Sequence, residues 1–165
     1  MNKRIRQYIG LLSAILTYYI VHEGAHFIYA LLTGTFKKIN IMSMGVQIDI
    51  HRDLMSDFQL GIFCLVGSIA TLITAYLLIL FIDKICKSPS KVFKACMYYI
   101  TIALLLLDPI YLSVLCEFFG GGDMNGIALL MPELFARMTY GIILIINGMV
   151  FFKVVLPKYK QAFQD

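Results

Sequence analysis

Long apolar runs alternate with short polar clusters along the chain. Four stretches, roughly 7–32, 58–82, 92–119 and 138–156, stay apolar long enough for a helix to cross a hydrocarbon core, which takes about 20 residues. Between the first two the pattern changes. In "FKKINIMSMGVQIDIHRD", Ile39 and Ile41 alternate with polar neighbours, and Val46, Ile48 and Ile50 alternate again after Gly45 in a new phase. Period two on both sides of Ser43-Met44-Gly45 predicts a short hairpin that turns there. Such a hairpin is either a connecting ribbon on the membrane surface or an edge strand open to an extended peptide. The expected fold is an all-α membrane protein with four transmembrane helices and a short β-hairpin between the first and second. The four runs leave no room for a separate soluble domain, so residues 1–165 form a single integral-membrane domain.

Composition agrees with that pattern. Hydrophobic residues make up 60% of the chain and charged residues 15%, too few to cover a soluble domain of this length. The charges also sort by segment. Lys3, Arg4 and Arg6 precede the first run, Lys84, Lys87, Lys91 and Lys94 fill the loop between the second and third, and Lys153, Lys158 and Lys160 lie at the end. The other two loops are mixed or acidic. Positive-inside bias then puts both termini in the cytoplasm, on a multi-pass protein of the cell membrane. The net charge of +4 follows from this topology and gives no sign of nucleic-acid binding. The first run is too long, and lacks the small-residue cleavage site, to read as a signal peptide. Cys64, Cys86, Cys96 and Cys116 stand singly, as small hydrophobes in helices rather than a disulfide framework.

Two further stretches shape the apolar runs. "GSIAT", with Gly67, Ser68, Ala70 and Thr71, offers a face of small residues for close helix packing in lipid. "GGGDMNG", residues 120–126, predicts a break or re-entrant turn after the third run. The chemistry lies in the first run, where "HEGAH" places His22, Glu23 and His26 among apolar neighbours. Polar groups at membrane depth are expensive and mark function. Histidines at i and i+4 share one helical face and can bind one metal ion, with the intervening glutamate placed as a general base.

A catalytic site of this kind needs a third protein ligand and a free position for water. Asp123, in the glycine-rich turn, and Asp108, in "LLLLDPIY", both lie within plausible depth. Pro109 would also free a helical carbonyl beside Asp108. Glu117, Cys116 and His51 are weaker candidates. Spacing alone does not separate the two aspartates.

The H-E-x-x-H in a first core span, "GSIAT" in the next and a late "GGDMNG" resemble the site-2-protease-like intramembrane zinc metalloproteases. The resemblance covers most of the chain, a three-span core plus one further span. It implies a Zn2+ cofactor held by His22, His26 and Asp123, with Glu23 as the catalytic base. It sets Asp108-Pro109 where the family carries a polar-proline element. The chain departs from the family at Ser68, where proline is usual, at Asp108, where asparagine is usual, and in D-M-N-G for D-G. The implied activity is hydrolysis of peptide bonds in membrane-embedded or membrane-associated protein substrates, at a site in the extracytoplasmic half of the bilayer. Asp108, Asn125 and Asn147 are candidates to bind substrate; Asn147 also fits helix packing and Asn125 turn chemistry. The rival reading is a non-catalytic membrane protein with a structural metal clasp or a partner-helix site. Such a protein would have no use for Glu23.

Overall fold

The computed structural model describes residues 2–42 and 45–164. It is mostly helical, with one two-stranded antiparallel sheet. Helix α1 runs Lys3–Leu32, strands β1 and β2 span Phe36–Met42 and Gly45–Ile50, and α2 covers Asp57–Leu80. A short α3, Ile82–Cys86, leads to α4, Lys91–Ile110, which continues through a π-helical turn, Tyr111–Leu115, and a 3-10 turn, Cys116–Phe119. After the glycines come α5, Asp123–Ile127, and α6, Glu133–Val150; a second π-helical turn, Phe151–Val155, joins α6 to α7, Leu156–Gln164.

The helix starts follow local chemistry. Ser56 and Gln59 form a reciprocal capping box at α2, each side chain bonded to the other's backbone, at 3.2 and 2.9 Å. Ser90 caps α4 by accepting from the Phe93 N–H at 3.2 Å. The predicted hairpin is present, with Ile39 opposite Ile48 and Ile41 opposite Val46. Ser43 and Met44 of its expected turn lie outside the described residues.

Among the described residues, three helices are long and apolar enough to cross a membrane: Asp57–Leu80, Lys91–Phe119 and Glu133–Gln164. The last starts five residues before the expected 138 and carries on through α7. The expected first span is a 30-residue helix but does not join that set, because its polar residues dilute its apolar content. Those polar residues have a side. Ile5, Leu12, Leu16 and Ile20 of α1 are 52–72% exposed, whereas His22 and His26 are buried. The dilution is therefore on the inner face.

Helix α1 packs lengthwise on α4. A Cβ at Gly10 would stand 2.5 Å from the Tyr99 ring, Ser13 Oγ donates to Cys96 Sγ at 3.3 Å, and Tyr18 Oη donates to Asp108 at 2.5 Å. Gly10 also faces the Ala95 carbonyl, and from there through Ser13–Cys96 to Tyr18–Asp108 the positions rise on both helices, so the pair is parallel. Leu104 and Leu105 seal this seam with Ala14 and Ala75. A second apolar cluster binds the hairpin to α2, α5 and α6 through Ile48, Phe63, Met124, Ile127 and Tyr140.

Candidate metal centre

Because α1 is unbroken through "HEGAH", the i, i+4 spacing stacks the two imidazoles one turn apart, with ring centroids separated by 4.8 Å. What each ring nitrogen can do follows from its neighbours. His26 Nδ1 lies 2.7 Å from the Phe63 carbonyl oxygen, which only accepts, so Nδ1 carries the proton and Nε2 the lone pair. His22 Nδ1 lies 3.3 Å from the Asp108 carboxylate, and the same argument fixes the same tautomer. Both Nε2 atoms then face Asp123, whose Oδ2 is 3.0 Å from His22 Nε2 and 3.4 Å from His26 Nε2.

One ligand atom from each of His22, His26 and Asp123 falls within 4.8 Å of the others. Two lone pairs and an anionic oxygen converging on one point call for a cation. Ligand distances near 2.0–2.2 Å in a tetrahedral site separate neighbouring ligand atoms by about 3.4 Å, close to the spacings from Asp123 to the two rings. The donor set fits a divalent metal ion.

Two backbone features make room for this cluster. Gly67 of α2 faces the rings directly: a Cβ there would lie 2.6 Å from His26 Nε2 and 2.7 Å from His22 Nε2. Gly120, Gly121 and Gly122 take positive φ values of 79°, 85° and 48°, a path that L side chains resist. That path reverses the chain after α4 and delivers Asp123 to the rings at the first residue of α5. The expected re-entrant turn is thus the element that carries the third member of the cluster.

Asp108 sits on the other side of His22. It is 1% exposed and receives hydrogen bonds from Tyr18 Oη and Thr71 Oγ1, both at 2.5 Å, besides its contact with His22. A buried carboxylate needs such donors. Its surroundings make it the outer partner of a metal-facing histidine, the arrangement that sets tautomer and ring orientation in metal sites. Pro109, next along, has no N–H for the Leu105 carbonyl four residues back. Asn147 Nδ2 of α6 donates to that carbonyl at 2.7 Å, and Asn147 Oδ1 accepts from Tyr76 Oη at 2.7 Å. Asn147 is fully buried.

Glu23 is half-buried at the edge of a cavity of about 240 Å³ that His26, Asp123, Val46, Gln47, Ile48 and Tyr111 help to line. Its Oε2 accepts from the Ile48 N–H of β2 at 3.2 Å. The edge of β2 turned away from β1 therefore faces the cavity and the metal ligands.

The structure brings His22, Glu23, His26 and Asp123 together and distributes the three expected substrate-binding residues elsewhere. Asp108 lies behind His22 and Asn147 deeper in the helix seam. Asn125 is exposed, donating to the Gly120 carbonyl at 3.0 Å, which ties down the glycine turn. None of the three lines the cavity. The weaker ligand candidates also lie apart: Cys116 is in the apolar core, Glu117 pairs with Arg137, and His51 precedes a turn beyond the hairpin. Tyr18 and the Phe63 carbonyl are not singled out by the sequence, and Thr71 enters there only as part of a small-residue packing face. Only Tyr18 carries a signal there, standing one helical turn before His22 on the same face.

No family model matches the chain, and no curated protein or solved structure shows significant similarity to it.

Proposed function

We propose that the chain is an intramembrane zinc metallopeptidase of the site-2-protease-like kind, acting on membrane-embedded or membrane-associated protein substrates. One observation carries this reading: two histidine lone pairs and the Asp123 carboxylate converge beside a cavity, with the Glu23 carboxylate at its edge. Three protein ligands of N2O type suit a catalytic zinc with a position left for water. A bound zinc ion supplies Lewis acidity toward a carbonyl and lowers the pKa of water to about 7.

The chain's own residues do the rest. Glu23 takes a proton from the attacking water and delivers it to the departing amine. Asp108, through His22 Nδ1, and the Phe63 carbonyl, through His26 Nδ1, hold both rings with Nε2 forward. The outer edge of β2 offers backbone groups to an extended peptide by β-addition. A transmembrane substrate helix has all its backbone bonds internal and must unwind before it can use that edge. Engaging Ile48 would also release Glu23 from its present hydrogen bond. In this reading α1 is the first of four spans, both termini are cytoplasmic, and the site lies in the extracytoplasmic half.

The test compares wild type with Glu23→Gln, which keeps size and a hydrogen-bond acceptor but removes the base. Zinc is counted on the purified proteins by elemental mass spectrometry, and new protein N-termini are counted in membranes of cells expressing each form. The expected result is equal zinc and loss of a set of new termini in the variant. The same termini from both forms would overturn the hydrolytic reading. Loss of zinc together with loss of fold in Glu23→Gln would favour a structural clasp.

A further inference from the structure

At the opposite end of the bundle from the metal cluster lies a larger cavity of about 470 Å³, between the N-terminal turns of α1, the start of α4 and α7. From Gln7 to His22 along α1 is about 22 Å at the helical rise per residue. This cavity is therefore separate from the metal centre, and the argument for it is independent of the hydrolytic reading; it uses only the membrane reading.

Its lining has one sign of charge. Lys3, Arg6 and Lys160 contribute, and no carboxylate does; among the described residues none of the three is in an ion pair. Arg6 lies over the Phe163 ring, 5.1 Å from its centroid, so its guanidinium is held at the rim by an aromatic face. The same ring also meets Lys94, 5% exposed, with its Nζ 5.8 Å from the centroid. Lys94 donates to the Ala162 carbonyl, and no carboxylate of the described residues pairs with it. A buried cation without a counter-charge is costly. Tyr159, 1% exposed, closes the floor.

Cationic side chains at the rim, with a buried ammonium close to them and no carboxylate in the lining, describe a receptor for an anion with several acceptor oxygens. The volume lies in the range of small-ligand sites. Tyr98 in the wall is the residue type enriched where a membrane protein meets the headgroup layer. Basic pockets between helices on the cytoplasmic side take anionic headgroups, and the positive-inside pattern assigns this end to that side. We propose that this cavity binds the phosphate-bearing headgroup of an anionic membrane lipid, with Arg6 and Lys160 holding the phosphate.

The test uses the full chain in neutral detergent micelles. Retention of phosphatidylglycerol against phosphatidylcholine is read by native mass spectrometry, with inorganic phosphate in molar excess as a competitor. Wild type is expected to retain phosphatidylglycerol selectively. Arg6→Gln/Lys160→Gln should lose that retention roughly tenfold or more, while Lys37→Gln/Lys38→Gln, an equal charge change on the hairpin, should keep it. Equal retention of the two lipids by wild type, or equal loss in the hairpin variant, overturns the proposal. Complete displacement by inorganic phosphate, with the same thermal stabilisation as the lipid gives, overturns the lipid assignment in favour of a free anion. Folding is followed through the thermal exposure of Cys64 and Cys116, both buried and free. Should the double variant fail to fold, Lys160→Gln alone replaces it. It should lower retention several-fold at an unchanged melting point, and unchanged retention would count against the site.

Discussion

At the scale of single residues, the two aspartates show what a polar group's depth in a helix leaves open. Asp123 and Asp108 both approach His22, but on opposite ring nitrogens: Asp123 faces Nε2 at 3.0 Å and Asp108 faces Nδ1 at 3.3 Å. Sequence spacing gives depth along a helix and cannot tell which side of an imidazole a carboxylate will meet. The H-E-x-x-H face was legible because its spacing is local. The outer partner was not, because Asp108 reaches His22 across the seam between two helices. The roles separate by experiment. Asp123→Ala is expected to abolish metal retention, whereas Asp108→Asn should weaken it about 10- to 100-fold, the usual cost of losing an outer-shell partner. Titration of metal-loaded protein with a chelator measures both; equal loss in the two variants would mean that Asp108 is itself a ligand. Gly67→Ala makes a sharper claim. Its new methyl would sit within 2.7 Å of both Nε2 atoms, on the side where the cation belongs, so metal binding should be lost while the helices still assemble. Metal stoichiometry with circular dichroism checks this, and full metal content in the alanine variant would show that the ion lies elsewhere.

At the scale of elements, α4 is an interrupted helix whose defect is repaired by a neighbour. Pro109 frees the Leu105 carbonyl in the buried seam, and the Asn147 amide of α6 fills the vacancy. The sequence shows the proline and the freed carbonyl, but the donor lies 42 positions away and only packing brings it near. That is why the sequence keeps Asn147 as a candidate substrate contact beside the helix-packing role that it favours. Asn147→Leu keeps the branched heavy-atom shape and removes both hydrogen bonds, leaving the Leu105 carbonyl and the Tyr76 hydroxyl unpaired. Each such orphan costs about 1–3 kcal/mol. The variant should melt several degrees lower and keep its metal, since no Asn147 atom touches the cluster. Thiol-exposure melting of the two proteins, with metal content measured in parallel, tests it; an unchanged midpoint would mean that water or a local shift already satisfies the carbonyl. The hairpin was legible for the opposite reason, its alternation being local on both strands. Its bond from Ile48 to Glu23 was not, because that contact joins a strand to a helix 25 positions earlier.

For the whole molecule, the open question is what α1 does, since by apolar content it falls short of the other three long helices. Averaging along the chain mixes two faces that see different surroundings. The face toward α4 carries Tyr18, His22 and His26, all engaged by partners, and the outward face carries Leu12, Leu16 and Ile20. Packing supports the proposed fourth span. Gly10 meets the Ala95 carbonyl, Ser13 meets Cys96 and Tyr18 meets Asp108, so α1 runs beside α4 in the same direction. In the proposed topology, where α4 spans the membrane, a helix parallel to it starts on the same side and ends on the other. The contact of Arg6 with Phe163 brings the start of α1 and the end of α7 to one end of the bundle, which an even number of crossings requires. We therefore expect Asn2→Cys, just before α1, and Gln47→Cys on the hairpin to be labelled by a membrane-impermeant maleimide from opposite sides of sealed vesicles. The comparison is made in a background where the four native cysteines are replaced by alanine or serine. Labelling of both sites from one side would leave α1 lying along the surface as an amphipathic helix, with three crossings in place of four. It would also move the metal cluster out of the bilayer, because His22 and His26 ride on α1. The fate of the site and the topology of its helix are thus one question, and a single pair of labelling sites answers it.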